Sequence, residues 1–335
     1  MTLESVAMQY RELGKTGIKV SAVGFGAWAI GGPSEASGAP LGWGRTTDEE
    51  SLAAIRRARD LGVNFFDTAD SYGFGRSESL LGIVLSRKRQ DVVIATKVGV
   101  VRTSSGELKK DFSKQHIYVA VDGSLKRLRT DYIDVYQIHN PTIDDLRREE
   151  IQDAMERLQD AGKIRFWGVS VFNPEDGLEV VRQSWGHVLQ VLYNILNQAP
   201  AAELFPTAKE KGYGIIARVP LASGLLTGKF RNDTVFPADD IRQNFLTPRR
   251  LQEALPRVDE VKSIIGGTAR TLIEGALRFV LANDAVATAI PGAKNIHQVE
   301  TNVTAGDAWL PEEVVQKLRS RLGDYNFYQR HNIRI

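Results

Sequence analysis

The stretch Phe65-Phe66-Asp67-Thr68-Ala69-Asp70-Ser71-Tyr72-Gly73 (residues 65–73) runs from an apolar, strand-like segment directly into a polar turn. A carboxylate and a phenol, Asp67 and Tyr72, therefore both leave the chain near the end of one strand. A phenol near its reference pKa of about 10 is a poor proton donor at neutral pH and needs a cation beside it. The neighbouring segments supply a candidate for that cation.

Two further apolar strands deliver polar residues at their ends. The first ends in Lys97, and the second is followed directly by His139. Taken singly, His139 fits a buried structural histidine, Lys97 a lysine whose amine reaches the rim, and Asp67 a helix cap. Four residues of suitable types at the ends of three successive strands instead favour a catalytic site.

Strands and helices alternate along most of the chain. Strands are predicted over residues 21–26, 65–67, 92–97, 133–138, 164–170, 188–193, 213–218 and 286–290. Helices are predicted over residues 47–61, 77–86, 113–128, 145–161, 174–184, 203–211 and 269–283. Unbroken apolar strands between helices require a parallel sheet that is covered on its outer side. Eight such units predict an α/β fold, a closed (β/α)8 TIM barrel, with an open doubly wound sheet as the alternative.

Segments outside this repeat extend the single domain that we predict over residues 1–335. Alternating residues around a glycine-flanked turn predict an N-terminal β-hairpin at about 9–20. Long loops are predicted at about 27–46 and 221–267, the second with a helix near 249–264. The tail, about 307–335, is predicted to carry extra C-terminal helical structure, near 311–323, and to fold over the barrel mouth.

Composition excludes several classes of function. The net charge of +2 and the interleaved acids and bases give no reason to expect a nucleic-acid partner. The chain has no cysteine, which excludes thiol catalysis, and its five histidines lack paired metal-ligand spacing, so no metal site is expected. No apolar run approaches bilayer length and the first residues do not resemble a signal peptide, which predicts a cytoplasmic protein without a membrane partner.

Two glycine-rich stretches resemble nucleotide-binding motifs but fail in detail. No helix follows Gly24-Phe25-Gly26, as a dinucleotide fingerprint would require. Gly224 to Lys229 is one residue short of P-loop spacing, and Phe230 replaces the required serine or threonine. Asp70 is the alternative to Asp67 as the functional carboxylate, but it lies in the turn and is predicted to be a loop cap or a surface acid.

The motifs together resemble those of the aldo-keto reductases, NAD(P)H-dependent (β/α)8 oxidoreductases, over nearly the full length of the chain. The residues 67–73 are similar to the family's Asp/Tyr signature, 95–97 to its lysine motif and 136–141 to its histidine motif. The resemblance implies a catalytic tetrad of Asp67, Tyr72, Lys97 and His139. The extended first loop and residues 224–229 are more similar to the bacterial and channel-subunit-like branches.

Other segments match the cofactor-contacting parts of that family. The residues expected to bind the cofactor are Gly26, Ala27, Trp28, Asp67, Ser170, Gln190, Arg218, Pro220, Leu221, Ser223, Gly224, Lys229, Gly292, Lys294, Gln298 and Asn302. Lys294 favours NADP(H), and NAD(H) is the open alternative.

Two positions depart from the family pattern. Val171 stands where an asparagine usually holds the nicotinamide carboxamide, and Arg218 stands where an aromatic ring usually stacks on the nicotinamide. A guanidinium plane also stacks on rings. The departures leave the carboxamide contacts to Ser170 and Gln190.

The resemblance implies reduction of an aldehyde or ketone, with Tyr72 as the proton donor. Lys97 is expected to lower the pKa of the phenol, Asp67 to hold Lys97, and His139 to orient the carbonyl. A cofactor-binding subunit of the channel-β type is one alternative. A lyase or metal-dependent isomerase barrel is another, but the paired strand-end acids that it needs are missing. Monomer and homo-oligomer both stay open.

Overall fold

The computed structural model of the protein describes residues 8–335, so the first seven residues of the predicted domain lie outside the described residues. Its centre is a parallel sheet of eight strands in sequential order. We number them β1 (Phe25–Gly26), β2 (Phe65–Asp67), β3 (Val93–Val98), β4 (Ile133–His139), β5 (Ile164–Ser170), β6 (Val188–Leu192), β7 (Gly214–Arg218) and β8 (Val286–Ile290).

The sheet closes on itself between its first and last strands. The Gly24 amide donates to the Ala289 carbonyl at 2.8 Å, and the Gly26 amide donates to the Pro291 carbonyl at 3.0 Å. A Cβ added to Gly26 would lie 2.7 Å from the Ile290 carbonyl oxygen, so only glycine permits this approach. The predicted (β/α)8 barrel is confirmed, and the open sheet is wrong.

Helices cover the outside of the barrel. They are α1 (Asp48–Asp60), α2 (Arg76–Leu85), α3 (Lys114–Leu128), α4 (Ile143–Leu146), α5 (Glu149–Asp160), α6 (Pro174–Gln183), α7 (Leu204–Lys211), α8 (Pro248–Ile265), α9 (Leu272–Leu281), α10 (Ile296–Val303), α11 (Glu312–Leu322) and α12 (Phe327–Arg330). Side-chain caps begin many of them; Thr47 and Glu50, for example, form a reciprocal capping box at α1.

Three small antiparallel hairpins complete the structure. Tyr10–Glu12 pairs with Lys19–Ser21, as predicted, and Leu13, Ile18 and Val20 join the apolar cluster inside the barrel. The first long loop contains the pair Glu35–Ala36 and Ala39–Pro40. The third hairpin pairs Val100–Arg102 with Leu108–Lys110 and was not predicted.

Several element bounds differ from the prediction. The first strand is shorter than 21–26 because Ser21 pairs within the N-terminal hairpin. The helix predicted over 145–161 is two helices, since Arg148 adopts extended backbone between α4 and α5. Helix α10 was not predicted. In the described part of the chain, no helix combines the length and apolarity that crossing a membrane demands.

Candidate active site at the barrel mouth

Alternation of side chains along the strands places the tetrad inside the barrel. Phe65 in β2 and Val93 and Ala95 in β3 belong to the interior apolar cluster. Because side chains two residues apart share a face, Asp67 and Lys97 extend the same two columns toward the C-terminal ends of the strands. The polar groups therefore lie on top of a packed apolar interior.

Lys97 is the centre of the site. Its Nζ donates to Asp67 Oδ1 at 2.6 Å, to the Thr68 carbonyl at 2.7 Å and to the Tyr72 hydroxyl at 3.3 Å. The lysine is fully buried and Asp67 is 2% exposed. Three acceptors thus satisfy all three ammonium donors, and the predicted proximity of amine, carboxylate and phenol is present.

Two glutamines fix the second oxygen of Asp67. Gln190 Nε2 donates to Asp67 Oδ2 at 2.7 Å, and Gln137 Nε2 donates to the same oxygen at 3.2 Å. Sequence reasoning gave Gln190 to the cofactor and missed Gln137. The signal for Gln137 is its place two residues before His139, on the same face of β4.

Tyr72 lies between an indole and an imidazole. Its ring stacks on Trp28, with centroids 5.6 Å apart and planes 14° apart. The His139 ring meets it edge-on, with centroids 6.0 Å apart. These contacts hold the phenol in one orientation above the Lys97 amine, which is 4.8 Å from the ring centroid.

Two opposing effects determine the pKa of the phenol. Lys97 lowers the pKa of Tyr72, as expected, but burial is the larger effect and raises the pKa above its ordinary value. Burial also lowers the pKa of Lys97, but Asp67 and Tyr72 together raise it above its ordinary value. At neutral pH the site therefore holds a protonated phenol beside an ammonium.

His139 is neutral at ordinary pH. Burial lowers its pKa well below the usual value, and the charges of Lys97, Lys110 and Arg218 lower it further. Lys110 Nζ donates to the His139 carbonyl at 2.6 Å, which ties the 100–110 hairpin to the end of β4. A neutral imidazole carries one N–H, which suits it to donate one hydrogen bond into the cavity that it lines.

Asp70 is not the surface acid that the sequence suggested. Its side chain is half-buried, and its Oδ1 is buried without a hydrogen-bond partner within residues 8–335. Burial, reinforced by Glu78, raises the pKa of Asp70 to about 8. It contributes no contact to the Lys97 amine.

A cavity of about 740 Å³ opens beside the tetrad. Asp67, Tyr72 and His139 line it, and Lys97 lies behind them. Every residue predicted from the sequence to contact a cofactor also lines this cavity. Its volume is in the usual range for small-molecule sites.

The far end of the cavity is cationic. Lys229, Arg242 and Lys294 line it, and their mutual repulsion adds to burial in lowering the pKa values of the two lysines. Arg242 binds Asp240, and Lys294 Nζ donates to the Trp43 carbonyl. Arg242 was missed because it lies in an irregular part of the second long loop, where no periodicity marks it.

The tail closes one side of the mouth, as predicted. Arg218, at the end of β7, donates to the Ile335 carbonyl at 2.6 Å and to the Val171 carbonyl at 3.0 Å. Ser223 and Tyr328 share a hydrogen bond of 2.7 Å between their hydroxyls. Burial lowers the pKa of Arg218 to about 10, so the guanidinium stays charged at neutral pH.

The loop after β7 has unusual backbone geometry. Val219, Ala222, Ser223 and Gly224 all have φ values between 48° and 95°. Such conformations are strained for a β-branched residue, and they cluster at functional sites. Within the loop, the amides of Ala222 and Gly224 donate to the carbonyls of Val219 and Leu221.

Comparison with known proteins is consistent with this arrangement. A model of the Aldo/keto reductase family matches residues 22–322. The chain is 35% identical over 302 residues to the aldo-keto reductase YhdN of Bacillus subtilis, covering 88% of this chain and 87% of that protein. It is 31% identical to a probable voltage-gated potassium channel subunit beta of Oryza sativa, covering 93% and 96% of the two chains.

A solved structure shares the fold. The holo form of aldo-keto reductase AKR11C1 from Bacillus halodurans superimposes with a TM-score of 0.74 at 35% identity, over 93% of this chain and 96% of that one.

Proposed function

Because the chain belongs to the aldo/keto reductase family, a family of nicotinamide-dependent oxidoreductases that act on small carbonyl compounds, we propose that it reduces an aldehyde or ketone reversibly to the alcohol with NADP(H). A single domain over residues 1–335 and a cytoplasmic place of action stay predictions. The observation that carries the proposal is the Lys97 amine, which contacts both Asp67 and Tyr72 inside the barrel mouth.

In this proposal, Tyr72 gives its proton to the carbonyl oxygen of the substrate. When bound, a nicotinamide would supply the hydride. The Lys97 ammonium stabilises the phenolate that remains on Tyr72, which offsets part of the effect of burial on the pKa of the phenol. Asp67 holds the ammonium in place, and Gln137 and Gln190 hold Asp67.

His139 has a separate role in the proposed reaction. Since its imidazole is neutral, it donates a hydrogen bond to the carbonyl oxygen without competing to protonate it. Its ring meets that of Tyr72 edge-on, so the two groups are neighbours in the wall of the cavity. The two donors thereby select one position for the reacting oxygen.

The cavity suits a dinucleotide because its two ends differ in chemistry. The tetrad at one end accommodates the reacting ring and the carbonyl compound, and the cations Lys229, Arg242 and Lys294 at the other end match phosphate groups. Lys294 supports NADP(H) over NAD(H), since its ammonium would attract the additional 2′-phosphate of NADP(H). Trp28 and Phe74 give the substrate side an apolar rim.

A cofactor-binding regulatory subunit with little turnover is the second candidate, and the likeness to the channel subunit beta of Oryza sativa favours it. The Lys97 amine, which contacts both Asp67 and Tyr72, supports the enzyme instead. A purified sample, incubated with NADPH or NADH and a panel of aldehydes and ketones, distinguishes the two through absorbance of the reduced nicotinamide. The proposal predicts consumption of NADPH with a carbonyl; tight NADPH binding without turnover on any of them would favour the subunit.

A further inference from the structure

Asn140 enters the cavity directly after His139. Its φ of 53° is a left-handed conformation that asparagine tolerates better than most residues. The Asn140 amide donates to the Ser170 carbonyl at 2.8 Å, which fixes this turn against the end of β5. The side chain is half-buried and lines the cavity beside His139 and Ser170.

The Asn140 side chain already pairs with one residue expected to bind cofactor. The Ser170 hydroxyl donates to Asn140 Oδ1 at 3.4 Å. Within residues 8–335, Asn140 Nδ2 has no hydrogen-bond partner and is not sealed from solvent. A serine hydroxyl and a free amide donor thus lie together on one wall of the cavity.

Val171, which stands where the aldo-keto reductase pattern has an asparagine, offers no side-chain amide and does not line this cavity. It is 1% exposed and packs in the outer core toward Gly177 of α6. Its own backbone amide donates to the Gln190 carbonyl at 3.0 Å. A side-chain amide that holds a ligand at this wall therefore has to come from another residue.

We propose that Asn140 binds the carboxamide of the nicotinamide together with Ser170, replacing the amide that Val171 lacks. This inference rests on the proposed function. A primary carboxamide presents one acceptor and two donors, and the Asn140 side chain offers the complementary groups. Because Asn140 follows His139, a single turn after β4 then positions both the substrate carbonyl and the nicotinamide ring.

The test compares Asn140→Gly with Asn332→Gly. Both substitutions remove an asparagine side chain at a left-handed φ that glycine adopts freely, and Asn332, with φ 48°, is exposed and outside the cavity. Dissociation constants are measured by calorimetry for NADP⁺ and for 2′-phospho-ADP-ribose, which lacks the nicotinamide. The unfolding temperature of each variant is recorded alongside.

We expect Asn140→Gly to weaken NADP⁺ binding roughly three- to tenfold, the usual scale of one or two lost hydrogen bonds, with 2′-phospho-ADP-ribose affinity unchanged. Asn332→Gly is expected to change neither constant. Equal weakening of both ligands, or no weakening of either, overturns the assignment of Asn140. If the unaltered protein binds neither ligand, the proposed function itself fails, which is a separate outcome.

Discussion

The two ends of the cavity are built in different ways. At the tetrad end, Lys97 and Asp67 belong to strands, are almost fully buried and satisfy each other. At the cationic end, Lys229, Arg242 and Lys294 follow strands or lie on loops; Lys229 is exposed and the other two are half-buried. Contacts between the two long loops hold this second end together. In one of them, the Ile241 amide donates to the Gly42 carbonyl at 2.8 Å.

This difference in construction assigns proton transfer to the tetrad end of the cavity and binding of the cofactor to the cationic end. Strand-borne groups keep a fixed geometry because the barrel interior is packed, which suits proton transfer. The cations at the other end are more exposed and lie on loops, which suits binding of a dinucleotide's phosphates. Changes at the first end are therefore expected to affect turnover, and changes at the second to affect affinity.

The largest effect is expected from Lys97→Met. The substitution removes the ammonium that stabilises the Tyr72 phenolate, so turnover is expected to fall by at least about a hundredfold. It also leaves Asp67 buried without a counter-ion, which is expected to cost about 3–5 kcal/mol of unfolding free energy. Steady-state kinetics and chemical denaturation measure the two effects.

Lys229→Met is the matched control, because it makes the same chemical change at the cationic end of the cavity. With saturating cofactor, this variant is expected to keep its turnover and its stability. If both variants lose turnover equally, the proposed division between the two ends is wrong.

An intermediate effect is expected from Arg242→Met. Arg242 lies 5.2 Å from the centroid of Trp43 and binds Asp240, so it joins the two long loops as well as providing charge. We expect NADPH to bind about tenfold more weakly, with a reduced dependence on salt, and turnover at saturation to be unchanged. Arg45→Met, whose side chain is 93% exposed, is the control and is expected to leave the affinity unchanged.

The smallest effect concerns stability at acidic pH. The pKa of His139 is lowered in the folded state, so the unfolded chain binds a proton that the folded chain does not. Above the ordinary histidine pKa of about 6.5, the contribution of His139 to the free energy of unfolding is complete. Below that pH the contribution is lost, by about 1.4 kcal/mol per pH unit.

Chemical denaturation between about pH 5 and 7 tests this contribution. His139→Gln is expected to flatten the loss of stability on acidification. An unchanged slope in His139→Gln would contradict a neutral buried imidazole.

The barrel and the site residues on its strands could be predicted from the sequence, for a physical reason. Apolar strands between helices define the barrel, and a period of two then determines which side chains point inward. Asp67, Lys97 and His139 follow from that rule, and Gln137 follows from it equally. The observed cavity lies at the C-terminal ends of the strands, where the site was predicted.

The loop-borne part depends on contacts that no local pattern encodes. The position of Arg242 depends on pairing between two loops that are far apart in sequence, and the hairpin at 100–110 carries only a weak turn signal. The net pKa of Tyr72 likewise depends on how deeply Trp28 and His139 bury the phenol. Long-range packing decides each of these features.

Turnover of Tyr72→Phe, measured together with its affinity for NADPH, tests the central claim most directly. Phenylalanine keeps the ring that stacks on Trp28 and removes only the hydroxyl that lies 3.3 Å from the Lys97 amine. We expect turnover to fall by at least about a hundredfold while NADPH binding is nearly unchanged. A variant that reduces carbonyl compounds as fast as the unaltered protein would contradict the role of Tyr72 as proton donor.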